Sequence, residues 1–348
     1  MPGEPLPDRT GVAPANLDAS NTGTESQPAA VRVIRSGVEE STHLIDAAVV
    51  DVSGDVVAAA GDPSRTLFAR SSMKPLQAAV SSSLAAAPFT PAEIAVMCGS
   101  HNAEPVHVKA VRSILAKSEV PESALQCPAR LPWDEESLLE RPERRRINSD
   151  CSGKHAGMLA ASRAKGWDLQ SYRQPDHPLQ RAIEGAVLRS SGLDRVRVGV
   201  DGCGVPVHAL PLRSMATIYA RLSAPARWNE LEDAIGSAVN AMTTEPYMVA
   251  GRNRADTALM ETVAGLVVKG GAEGLICAAV IARGLGVAVK VRDGASRAAA
   301  PALIRVLEIL TVLDDRAVSS LAQFSRPPVF GSDDRVGELR AEFRLNFG

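Results

Sequence analysis

Aromatic residues are scarce, with 3 Trp, 3 Tyr and 6 Phe making up 3% of 348 residues. The core must therefore be built from Ala, Val, Leu and Ile, and little is left for a base-stacking platform. No run of about 18 uncharged apolar residues occurs, which excludes a membrane-spanning helix. A net charge of −2 argues against a nucleic-acid or membrane surface as partner. The start of the chain shows no basic segment leading into an apolar core, the mark of a signal peptide. Cysteines are few, at positions 98, 127, 151, 203 and 277, and are odd in number and widely spaced. In a chain of this size that excludes a disulfide framework and points to a reducing, cytoplasmic setting. Lysine is the last shortage: the 38 basic residues divide into 31 Arg and 7 Lys. Arginine does not titrate in a useful range, whereas a desolvated lysine can become a neutral base or ligand, so each lysine is worth inspecting.

With 45% hydrophobic and 22% charged residues, the chain reads as an ordinary globular protein with a sizeable core. Residues 1–30 are rich in Pro, Gly, Asn, Ser, Thr and Asp without apolar period, and predict a disordered tail. The length is compatible with one large domain or two smaller ones. Val31–Arg35 reads as a strand. Ile45–Val52, Ser53-Gly54-Asp55 and Val56–Ala60 read as a hairpin. A short extended segment then runs into a helix carrying Ser71 and Lys74 on one turn. Late in the chain, period 2 puts Val287, Val289 and Val291 on one strand face and Ala288, Lys290 and Arg292 on the other. Residues 134–146 alternate acidic and basic blocks and read as a solvated loop or short helix.

The stretch Asp150-Cys151-Ser152-Gly153-Lys154-His155 opens an apolar run. If helical, it places Cys151, Lys154 and His155 on one face. Asp150 or Ser149 would cap it, and a cysteine in the first turn would be favoured as thiolate by the unpaired backbone N–H groups. A helix start that merely contains a cysteine would look the same. Ser71-x-x-Lys74 brings an amine to a hydroxyl within one turn, the element that serves penicillin-binding proteins and serine β-lactamases. A second match, Ser162-x-x-Lys165, lies in a surface-like stretch and carries no weight. Ser100-His101 follows an apolar run and is either a nucleophile with its neighbour or a helix cap. Asp201-Gly202-Cys203-Gly204 ends a strand with a thiol presented on a turn. Cys151 and Cys203 with Lys154 would hold zinc if the amine were neutral and a fourth position stayed open; two inert buried thiols are the alternative. Lys290 either projects into a cleft or lies on an exposed strand face.

Taken in order, Arg70-Ser71-x-x-Lys74, Ser100-His101, the segment 151–158, Asp201-Gly-Cys203-Gly, Gly271-Ala-Glu-Gly with Cys277, and Lys290-x-x-Asp293-Gly resemble the rhizobial-type L-asparaginases, the asparaginase II family. The resemblance implies an α/β (α+β) fold like that of serine β-lactamases and penicillin-binding proteins, with a mixed, mostly antiparallel sheet flanked by helices. It implies hydrolysis of L-asparagine to L-aspartate and ammonia by a homodimer. It pairs Ser71 with Lys74 and Ser100 with Lys290, assigns one zinc ion to Cys151, Lys154 and Cys203, and puts Arg70, His101, His155, Asp201 and Cys277 around the substrate. Ser71 is then the nucleophile and Lys74 its base, with zinc orienting the substrate's α-amino or carboxylate group. Asn102-Ala103 and Arg252-Asn253-Arg254-Ala255 depart from the family pattern. Two other readings are a Ser-x-x-Lys peptidase or β-lactamase relative, and a non-catalytic zinc or amino-acid binding module.

Overall fold

The computed structural model describes residues 28–348. The tail expected over residues 1–30 lies outside them except for its last three residues, and Ala30 already opens the first strand. Twelve strands are described: β1 (Ala30–Arg35), β2 (Val38–Asp51), β3 (Val56–Ala60), β4 (Thr66–Phe68), β5 (Arg197–Val200), β6 (Pro206–Pro211), β7 (Leu266–Gly270), β8 (Leu275–Val280), β9 (Leu285–Val291), β10 (Pro328–Gly331), β11 (Asp334–Glu342) and β12 (Asn346–Phe347). The main helices are α1 (Lys74–Leu84), α2 (Pro91–Cys98), α3 (Pro105–Lys117), α4 (Glu135–Glu140), α5 (Ser152–Ala164), α6 (Pro178–Ser191), α7 (Leu212–Arg221), α8 (Glu232–Thr244), α9 (Pro246–Val249), α10 (Ala255–Thr262) and α11 (Ala299–Ile309). No helix among the described residues is long and apolar enough to cross a membrane.

The large sheet runs β10-β11-β1-β2-β9-β8-β7, every pair antiparallel, with β3 beside β2 and β12 on β3. Strand β2 changes partner along its length. Its polar first half pairs β1, while its buried second half, Ile45–Asp51, pairs β9 on one edge and β3 on the other. The expected hairpin closes because the Asp51 carboxylate accepts from the backbone N–H of Ser53, Gly54 and Asp55 at 2.8, 3.0 and 3.1 Å. As the shortage of aromatics requires, the sheet interior is aliphatic: Ala47, Ala48, Val49, Val50, Val287, Val289 and Val291 are buried. Helix α7 lies directly on β9. A Cβ at Gly286 would fall 1.9 Å from the Ala216 oxygen, so only glycine lets the two backbones meet. The expected sheet flanked by helices is thus observed, with every pairing antiparallel where a mixed sheet was the expectation.

A small sheet, β4-β6-β5, sets up the site. Because β4 and β5 both run antiparallel to β6, the exit of β4 and the β5–β6 turn come to the same end. The first delivers Arg70 and Ser71, the second Asp201 and Cys203. On the helical side α5 packs against α1, α2 and α3. A Cβ at Gly153 would lie 2.2 Å from the Val96 oxygen of α2. Backbone atoms cannot step aside as a side-chain tip would. Gly153→Ala is therefore expected to lower the urea midpoint by an amount worth about 1–3 kcal/mol, and an unchanged midpoint would mean that α5 is held elsewhere.

Candidate active site

The Ser71 turn is a 3-10 segment, Arg70–Met73, running into α1 with Pro75 in its first turn. Ser71 is half-buried, and its hydroxyl makes no hydrogen bond among the described residues. Lys74 is fully buried, and its ammonium donates to Ser100 Oγ at 2.8 Å and to the Asp150 carbonyl at 3.2 Å. Ser100 sits just past α2, where its N–H and that of Asn102 donate to the carbonyls of Val249 and Ala250. Segment 100–102 is thereby tied to the chain leading into Arg254 and Asp256.

The expected partnership of Ser100 with Lys290 is not what the fold makes. Lys290 donates to the Glu273 carbonyl and stands among Glu273, Asp293, Arg65 and Asp46. Strand register explains this. On adjacent strands Lys269, Cys277 and Ala288 are level, whereas Lys290 is level with Leu275 and Asp46. The late lysine that joins the site is Lys269, fully buried, 3.5 Å from Asp256 and donating to the Gly270 carbonyl at 2.6 Å. Burial brings its pKa down to about 8, opposed by Asp256 and helped by the charges of Lys74 and Arg254. Cys277 is fully buried, and burial pushes its thiol up to about 12. In this structure the thiol neighbours the Ser72 hydroxyl and the Lys269 charge.

The second centre is the thiol cluster. Cys151, Asp201 and Cys203 each place a ligand atom within 4.8 Å of the others. The Lys154 ammonium donates to Cys203 Sγ at 3.0 Å and lies 3.8 Å from Asp201. Arg70, held at a positive φ of 47°, donates to the other Asp201 oxygen at 2.6 Å. Cys151 occupies the capping position of α5 expected for Asp150 or Ser149. The thiolate also falls on the other sulfur. A hydrogen bond from Cys151 and the charge of Lys154 bring Cys203 down to about 6, while donating that bond and being buried raise Cys151. A direct ammonium and a thiol donor outweigh the partial charges at a helix start. One carboxylate oxygen, Asp150 Oδ2, joins the two centres, 3.8 Å from Lys74 Nζ and 3.7 Å from Cys151 Sγ.

Neither histidine faces this space freely. His101 is fully buried, with Nδ1 accepting from the Ala103 N–H at 3.1 Å and Nε2 donating to Ser152 Oγ at 3.0 Å. Burial and the His107 ring, stacked 5.2 Å away, hold it neutral. His101 is thus turned into the core, against Ser152 and the His107 ring. His155 is equally buried, its Nδ1 2.6 Å from the Tyr172 hydroxyl, and burial drops its pKa to about 3. Its Nε2 has no partner among the described residues.

Three short motifs meet here: Ser71-x-x-Lys74, Ser100-x-Asn102 and Lys269-x-Gly271. They follow the Ser-x-x-Lys, Ser-x-Asn and Lys-x-Gly pattern of enzymes that acylate a serine. The last two were readable in the sequence, and the third would have found Lys269. Among solved structures the chain is similar to a β-lactamase from Mycobacterium bovis, at 18% identity over 77% of this chain and 95% of that one, with a TM-score of 0.35. It is also similar to a mutant of simvastatin synthase from Aspergillus terreus, at 11% identity over 71% and 86%, with a TM-score of 0.37. Likenesses that distant carry no functional weight. Among curated proteins none matches. The family model described as L-asparaginase II, by contrast, matches residues 31–341. With nearly every described residue inside that match, the chain belongs to the L-asparaginase II family of amidohydrolases.

Proposed function

We propose that the protein hydrolyses L-asparagine to L-aspartate and ammonia. The Ser71 oxygen attacks the side-chain amide carbon while its proton passes to the Lys74 amine one turn on, the ammonium having first released a proton to water. The carbon–nitrogen bond then breaks, and ammonia leaves with a proton returned from Lys74 through Ser100. Water cleaves the resulting ester, its proton passing to Lys74 and on to the departing Ser71 oxygen, and aspartate leaves. Lys269, whose pKa burial and neighbouring charge bring to about 8, is suited to holding or releasing the extra proton near neutral pH. The observation that supports this reading is the Asp150 carboxylate, whose Oδ2 lies 3.8 Å from the Lys74 amine and 3.7 Å from Cys151 Sγ, so that the Lys74–Ser100 pair and the thiol cluster adjoin.

The donor set of the cluster suits zinc. Two sulfurs and, once Lys154 had lost its proton, an amine would supply three ligands, Asp201 lies close by, and one position would be left for a further ligand. We assign Cys151, Lys154 and Cys203 as its ligands, Lys154 giving up its proton on binding. When bound, the ion supplies a Lewis-acidic point that orients the substrate's α-amino group.

Purified protein is expected to release ammonia from L-asparagine faster than from L-glutamine, and release from neither would end the reading. Metal analysis is expected to find one zinc per chain in the wild type and in Cys277→Ser. Cys151→Ser and Cys203→Ser should lose it, and unchanged zinc in those two variants would remove the assignment.

A further inference from the structure

The cations of the site are matched to acids in all cases but one. Lys74 faces Asp150, Lys269 faces Asp256, and Arg70 and Lys154 share Asp201. Arg254 has no carboxylate partner among the described residues. It caps the start of α10, half-buried, and its Nη1 donates to the Ser100 carbonyl at 3.2 Å and to Asn102 Oδ1 at 2.8 Å. Its guanidinium lies 5.7 Å from the centre of the Trp133 ring. Nε and Nη2 make no hydrogen bond among the described residues. The group lines a cavity of about 570 Å³ together with Trp133, Asn102 and Arg252. Glu135 borders the same cavity, but its other acids are engaged: Arg252 lies 2.9 Å from Glu136 and 3.6 Å from Asp134, and 3.8 Å from the nearby Glu104. An uncommitted guanidinium fork therefore opens beside the segment that carries Ser100.

We propose that Arg254 is the anchor for the substrate's carboxylate, so that the site selects amides bearing a free carboxylate close to the scissile group. The proposal rests on the amide-hydrolysis reading. In asparagine three carbon–carbon bonds, a span of about 4 Å, separate the amide carbon from the α-carboxylate carbon. Arg254 holds the carbonyl of Ser100, the residue whose hydroxyl accepts from Lys74, so it adjoins the reacting groups through a single residue, and a guanidinium binds a carboxylate through two parallel hydrogen bonds. Asn102 is the positioning residue, accepting from Arg254 through its oxygen and donating to the Arg252 carbonyl through its nitrogen at 2.9 Å. The two departures from the family pattern are thereby one coupled feature.

The test compares ammonia release from L-asparagine and from L-asparagine methyl ester, which keeps the amide and neutralises the carboxylate. Wild type is expected to favour asparagine in kcat/KM, and Arg254→Gln to lose about 100-fold or more on asparagine. Arg254→Gln should change little on the ester, so that the preference collapses, with Arg254→Lys in between. Equal losses on both substrates, or none on asparagine, would overturn the proposal. Thermal stabilisation by L-aspartate reads the same contact without turnover. A wild type that releases no ammonia yet is stabilised by aspartate only when Arg254 is present retires the hydrolysis reading and keeps the anchor. Equal stabilisation of Arg254→Gln overturns the anchor.

Discussion

Ser71→Ala is expected to reduce kcat by about 10,000-fold or more while leaving the melting temperature within a degree or so of wild type. The two halves of that expectation have separate causes. The Ser71 hydroxyl is half-buried and bonded to nothing among the described residues, so its loss breaks no contact and empties no packed volume. A nucleophile, in contrast, has no substitute, because without it the acyl-enzyme cannot form. Ser100→Ala provides the contrast. Its hydroxyl accepts the Lys74 hydrogen bond at 2.8 Å, so the variant both interrupts the proton path and leaves a buried ammonium with one partner fewer. It is expected to lose roughly 100- to 1,000-fold in kcat together with measurable stability. Protein quenched during turnover should carry the aspartyl ester on the peptide containing Ser71. An ester on the peptide containing Ser100 would exchange the two roles.

The elements most legible in the sequence are those whose signal is local. The alternation of β1, the Asp51 turn of the β2–β3 hairpin and the entry to α1 each depend on residues within a few positions of one another. The decoy Ser162-x-x-Lys165 was also separable, and in the structure the Ser162 hydroxyl is turned back to the Met158 carbonyl inside α5. What stayed hidden depends on register and on direction of approach. Both Lys269 and Lys290 stand in apolar strands, and which of them is level with the Cys277 position follows from pairings that no spacing within one strand contains. His101 adjoins Ser100 in sequence, but its ring is turned inward onto His107 and accepts the Ala103 N–H. The thiolate was expected on Cys151 from the helix start alone. The deciding charge is that of Lys154 at 3.0 Å from Cys203, a contact that exists only after the two turns meet. Arg254 and Asn102 were visible as departures, and only their 2.8 Å hydrogen bond shows that they depart together.

The pair Lys269→Met and Lys290→Met decides which late lysine serves the reaction. Lys269→Met is expected to lower kcat by roughly 100- to 10,000-fold, and Lys290→Met by no more than a few-fold. Methionine fills similar volume without charge, and Asp256 keeps the Gly270 N–H at 2.9 Å, so the loss of Lys269 should not unfold the strand end. The pH dependence supplies a second readout with a definite sign. The pKa of Lys269 lies at about 8, below the 10.5 of a free side chain, because burial disfavours the ammonium. Its neutral fraction therefore grows about tenfold per pH unit below 8 and then levels off. Wild-type kcat should follow that rise, as should Lys290→Met, whereas Lys269→Met should lack it. Stability moves in the same direction. Between pH 8 and 10.5 the unfolded chain holds a proton that the folded chain has released, so wild type gains stability as pH rises across that window. Below pH 8 both states are protonated and the full cost of the buried ammonium is present. Lys269→Met carries no such proton, so its stability advantage over wild type should shrink by up to about 3 kcal/mol across the same window. If Lys290→Met instead lost turnover as deeply as Lys269→Met and took the alkaline rise with it, the lysine of β9 would belong to the site after all, and the side-chain placement around Glu273 would have to differ in the working enzyme.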